Sequence, residues 1–136
     1  MKMMIKRPAA ILAGAIFGFS ASFAAADESN VSTPAYLLAN LYVEDFETYT
    51  SDYANHLGPL LADVGAEVLV VAPAVTKLEG DNGANLTIVV RFPSMDAAEM
   101  YFSTDNYSAL RPARIATTDG DVSTLVLAPG FNPQSD

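Results

Sequence analysis

One histidine and a few arginines carry most of the chemistry open to this chain of 136 residues. His56 is the only histidine and the one candidate catalytic residue. An imidazole titrates near neutrality and can act as a general base or an axial haem ligand. No second motif accompanies it, so the plainer reading is a surface or helix-end histidine. The chain has no cysteine, and a lone histidine cannot build a zinc site without carboxylates. Arg91 lies in an apolar, alternating segment. A guanidinium buried there needs a partner, because an unpaired buried charge is costly. Glu79 would be a structural partner, and the carboxylate of a bound molecule a functional one. Arg111 and Arg114 are one helical turn apart and could clamp an anion, or sit as a helix-end pair bonded to nearby acids. The candidate ligand-binding residues are Arg91, Asn40, Tyr42, Tyr53 and Arg111. The six tyrosines, at positions 36, 42, 49, 53, 101 and 107, could line an aromatic pocket with polar tips, although their spacing suits core packing for most of them. Residues 80–83 are too short and acidic for a phosphate loop. No Ser-His-Asp, HExxH or EF-hand pattern is present, and no cofactor or metal is expected.

Charge narrows the partners. Seven Lys and Arg stand against sixteen Asp and Glu, for a net charge of −9. No basic cluster is present to neutralise phosphates, so nucleic-acid binding is not expected. Lys2, Lys6 and Arg7 precede an apolar stretch over residues 9–19, small residues follow, and then Ala24-Ala25-Ala26. That order is the n-region, h-region and A-x-A site of a secretory signal peptide over residues 1–26, cut before Asp27. An uncleaved anchor is the alternative, but the apolar stretch is short for a span of about 20 residues. Cleavage would leave four cations against sixteen acids, a net charge of −12. The expected product is periplasmic or secreted, with no stable membrane association, since such a charge repels anionic lipid.

The rest of the chain places those residues on a β-α-β-β-α-β series. Residues 27–34 form a polar lead-in. In residues 35–43, Leu37, Ala39, Leu41 and Val43 make an apolar face opposite Tyr36, Leu38, Asn40 and Tyr42. Asp45 is a plausible N-cap for a helix bearing Phe46, Tyr49, Tyr53, Leu57, Leu60, Leu61 and Val64, with a kink or restart expected at Gly58-Pro59 and an end at Gly65. Residues 67–75 read as an edge or bulged strand because of Pro73, with continuation to Leu78 open. Residues 81–83 turn the chain into a third strand over 86–92. A helix capped by Ser94 follows, then a short helical piece over 107–115 with Pro112 near its start, and a fourth strand over 123–128. Residues 131–136 read as a loose tail. Two strand-helix-strand units in series predict an α+β, ferredoxin-like sandwich over residues 35–130, with a four-stranded antiparallel sheet and helices on one face. The uncovered face would carry Tyr36, Leu38, Tyr42, Val89 and Leu125 or Val126, an apolar surface that predicts a sheet-to-sheet homodimer.

Several short motifs recur in order across residues 35–130: Val43-Glu44-Asp45 with Tyr49, Leu78-Glu79-Gly80, Phe92-Pro93-Ser94 with Ala97-Ala98, and Ser103 with Tyr107, Leu110 and Arg111. In these the chain resembles the family called domain of unknown function 1330, within the dimeric α/β-barrel superfamily. The resemblance implies a ferredoxin-like protomer that pairs as a dimeric α/β barrel. It implies no reaction. The chain departs from the pattern at Ala72-Pro73 and Gly65-Ala66, where relatives often carry glycines.

Two functions remain open at this level. One is an exported homodimeric module that binds a small organic ligand or serves a structural role. The other is a small cofactor-free enzyme, monooxygenase- or isomerase-like, acting on a small organic acid. This second reading rests on fold analogy and requires His56, Arg91 and Asn40 to share one concave pocket.

Overall fold

Strand β1 (Ala35–Leu41) is an inner strand of a four-stranded sheet, and its alternation sets the two faces. In the computed structural model, which describes residues 32–133, Ala35, Leu37, Ala39 and Leu41 are buried and Leu38 is exposed. The expected signal peptide and its cleavage site lie outside the described residues, as do parts of the lead-in and tail. The other strands are β2 (Glu67–Ala72), β3 (Leu86–Phe92) and β4 (Thr124–Pro129), in the spatial order β2-β3-β1-β4. All neighbouring pairs are antiparallel, the ferredoxin-like arrangement. Cross-strand partners point to the same face. Leu37 therefore stands beside Val90 and Leu127 in the core, and Leu38 beside Val89 and Val126 on the outside.

All helices pack on the Leu37 face. Helix α1 (Phe46–Asp52) starts at Asp45, whose carboxylate accepts from the Thr48 backbone N–H and hydroxyl at 3.1 and 2.7 Å. The chain then leaves helical geometry at Tyr53, makes a 3-10 turn over Ala54–His56, and resumes as α2 (Leu57–Asp63). The break falls several residues before Gly58-Pro59, where the sequence pattern puts it. Pro59 is the third residue of α2, where a missing N–H costs nothing. In a continuous helix its ring would collide with the carbonyl of Asn55, so the unwinding lies on the N-terminal side. Gly65 follows α2 with φ +72°, a left-handed conformation that closes a helix and suits glycine.

Strand β2 stops before Pro73 and does not continue to Val75 or Leu78. It is an edge strand, and its register shifts between Val68 and Val70, as Pro73 suggested. Helix α3 (Met95–Ser103) is capped by Ser94, which accepts from Ala97 N–H at 3.0 Å. Helix α4 (Asp105–Thr117) is longer than expected, and Pro112 lies well inside it. Thr104 alone separates the two helices, extended in backbone, and its hydroxyl accepts from Tyr107 N–H at 3.1 Å. Past the end of β1, the Asn85 side chain replaces a strand neighbour. Its amide accepts from Val43 N–H at 2.7 Å and donates to Val43 C=O at 2.9 Å. The uncovered sheet face carries Tyr42, Leu38 and Val126, which are 40%, 38% and 52% exposed. Among the described residues no helix is long and apolar enough to cross a membrane.

Candidate functional site

Seven-residue α2 is too short to cover the edge strand. Val68 and Val71, which share the helix-facing side with Val90 and Ile88, are therefore 48% and 62% exposed. Beneath them a cavity of about 290 Å³ runs between sheet and helices. Its walls are mainly aliphatic, with Ala39, Ile88, Val90, Leu57 and Leu61 among them. The lining residues that carry polar groups are few: Tyr49, Tyr53, Tyr101 and Arg114. A concave apolar wall with a few convergent polar groups is the usual make-up of a small-molecule site.

Those polar groups form a connected set. Tyr49 and Tyr53 come from successive turns around α1, and their rings lie 5.3 Å apart. Tyr107 and Arg114 are seven residues apart and share one face of α4. The Tyr53 and Tyr107 hydroxyls are hydrogen-bonded at 2.8 Å in buried surroundings, and Arg114 Nε donates to Tyr107 Oη at 3.4 Å. The Tyr101 and Tyr107 rings are 5.1 Å apart, and Phe102 meets Tyr107 edge-on at 4.9 Å. Such contacts fix the rings and hence the hydroxyls. Burial is the main influence on the phenols. It pushes Tyr49 up to about 12, with Arg114 opposing. Tyr53 is raised by burial and then by Tyr107, and Tyr101 by burial, Tyr107 and Tyr49. These groups stay neutral at pH 7. Burial works against the charge of Arg114, but Tyr107 and Tyr53 outweigh it, and the net shift is upward. The guanidinium is thus a fixed, half-buried cation held by hydroxyls.

A second, more open cleft of about 480 Å³ adjoins the first on the β4 side. Leu37, Phe102, Arg114 and Leu125 are walls of both. Glu99, Ser103 and Arg111 line the second cleft alone.

The sequence candidates are scattered. His56 is exposed in the 3-10 turn, with Nε2 3.1 Å from the Ser51 carbonyl oxygen. Arg91 is exposed rather than buried. Its carboxylate neighbour is Glu67, at 3.9 Å, and not Glu79, because β2 lies beside β3 in a register that puts Glu67 opposite Arg91. A pair this exposed contributes roughly 0–1 kcal/mol. Asn40 accepts from the Thr87 hydroxyl at 3.0 Å on the uncovered face. Tyr42 is exposed just beyond β1. His56, Arg91 and Asn40 line neither cavity, and the convergence required of an enzyme built on them does not occur. Tyr53 is in the cavity, and Arg111 is at the adjoining cleft. The sequence offers Arg114 only as half of a clamp with Arg111, and Tyr49, Tyr101 and Tyr107 only as lining of an aromatic pocket; the structure joins the two suggestions in one connected set. The available signal was the seven-residue spacing of Tyr107 and Arg114, both inside the expected helical piece over 107–115, but which face of that helix meets α1 is decided only by packing. Among the described residues, no group of three or more His, Cys, Asp or Glu is placed to hold a metal.

The sheet order and the single helical layer define a ferredoxin-like α+β sandwich. The chain belongs to the family described as domain of unknown function (DUF1330), whose model matches residues 34–128. A protein of unknown function from Rhodopseudomonas palustris has a similar structure, with TM-score 0.62 and 16% identity over 85% of this chain and 97% of that one. SnoaB, a cofactor-independent oxygenase from Streptomyces nogalater, is similar at TM-score 0.51 and 12% identity, over 77% of this chain and 100% of that one. At these identities the likeness is one of fold. No curated protein matches the chain significantly.

Proposed function

We propose that this protein binds a small organic anion in the cavity between sheet and helices. The observation that carries the reading is Arg114. It is a half-buried guanidinium with no carboxylate partner among the described residues, held by tyrosine hydroxyls at the wall of an apolar cavity. A carboxylate would complete its charge, and Tyr49, Tyr53 and Tyr101, neutral at pH 7, line the same cavity. A cavity of about 290 Å³ suits a ligand whose apolar body is about the size of one ring. The protein acts as an exported homodimer. Export is supported by the tripartite N-terminus, and pairing by the apolar sheet face that the helices leave uncovered.

Thermal melts against phenylpropionate, a ring-sized body with one carboxylate, test the site. Saturation at about 100 times Kd should stabilise the protein by about 2.7 kcal/mol. Arg114→Gln should remove that stabilisation. No shift in the wild type, or an equal shift in the variant, would refute the assignment.

A further inference from the structure

Four cations stand among the described residues, and they divide into two kinds. Lys77 and Arg91 each meet a carboxylate at 3.9 Å. Arg111 and Arg114 meet none among the described residues, and both line the cleft on the β4 side. In a chain with sixteen acids, cations find carboxylates easily, yet both that do not share one concavity. They are three residues apart on α4, where Cβ atoms lie about 5–6 Å apart, so the two guanidiniums reach the same space. Two cations so placed repel each other unless an anion lies between them. Glu99 of α3 lines the cleft without coming within ion-pair distance of either arginine. The cleft therefore keeps a net positive charge on an acidic protein. Arg114 is also the wall shared with the tyrosine cavity.

We infer that the ligand carries two acidic groups on an apolar body. The body lies in the tyrosine cavity, one carboxylate on Arg114, and the second at the outer cleft on Arg111. This rests on the cavity being an organic-anion site and adds to it the class of anion. The two arginines set the outer position against the ammonium of an amino acid, and Glu99 weakens, without cancelling, their hold on the second carboxylate.

Isothermal titration of the purified protein with three matched compounds tests the inference. Phenylpropionate has one carboxylate, phenylsuccinate adds a second, and β-phenylalanine carries an ammonium in its place. Phenylsuccinate should bind about 1.5- to fivefold more tightly than phenylpropionate, the range of one exposed ion pair. β-Phenylalanine should bind more weakly than either. Arg111→Gln should cancel the advantage of phenylsuccinate, and Glu99→Gln should increase it. Equal binding of phenylsuccinate and phenylpropionate, or tightest binding of β-phenylalanine, overturns the inference. If phenylpropionate still binds and depends on Arg114, the organic-anion site survives that failure. If none of the three binds, both readings fall.

Discussion

Replacing Tyr107 with Phe should cost about twice as much stability as replacing Tyr53 with Phe, although both tyrosines are buried and bonded to each other. The rings are nearly isosteric, so packing against Tyr101 and Phe102 survives and only the hydroxyl bonds change. Tyr53→Phe removes the 2.8 Å bond to Tyr107, but the Tyr107 hydroxyl still accepts from Arg114 Nε. A buried neutral hydrogen bond is worth about 1 kcal/mol net, which is the expected cost. Tyr107→Phe removes the same bond and also the acceptor for Arg114 Nε. A bond to a charged donor would be worth about 1.5–3 kcal/mol. At 3.4 Å and half exposed, Arg114 is closer to about 1 kcal/mol. The total is about 2 kcal/mol, equivalent to a Tm loss of about 8–16 °C for a domain of about 100 residues. The chain has no tryptophan, so urea unfolding followed by far-ultraviolet circular dichroism is the suitable assay. The double variant should cost about 1 kcal/mol less than the sum of the singles, because both remove one shared bond. Strictly additive costs, or Tyr53→Phe as the more damaging change, would show that Tyr107 is not the bridge between Tyr53 and Arg114.

Val89→Glu should turn a dimer into a monomer in light scattering, since it places like charges near a two-fold axis on the uncovered face; a wild-type monomer at micromolar concentration would reject pairing. Alkaline pH should destabilise the fold. The Tyr49, Tyr53 and Tyr101 values are raised above 10.0, so their contribution is complete below that pH and is lost as pH rises toward the folded values, about 12 for Tyr49. Urea midpoints that stay flat through this range would contradict it. Intact mass of the exported protein should begin at Asp27, and a chain retaining Met1 in the membrane would exclude cleavage.

The strands were legible because period-two alternation is local. Leu37, Ala39 and Leu41 against Tyr36, Leu38 and Asn40 already separate a buried from an open face, and the structure keeps that division. The caps at Asp45 and Ser94 and the left-handed Gly65 were legible for the same reason, since each is decided by a few consecutive residues. Helix limits were less so. Pro59 and Pro112 read as interruptions, but their effect depends on which residue starts the helix, and Thr104 starts α4 early enough to enclose Pro112. The site was legible only in part: Tyr53 and Arg111 stand at the two adjoining concavities, and the rest depended on packing. Arg91 stands in an apolar, alternating segment that suggests burial, but strand order puts Glu67 beside it and leaves it in solvent. Tyr53, Tyr107 and Arg114 are distant in the chain and meet only when α1 and α4 pack on the same sheet face. Alternation and capping are settled by neighbours along the backbone. The pairing of a charge is settled by neighbours in space, and those exist only once the chain is folded.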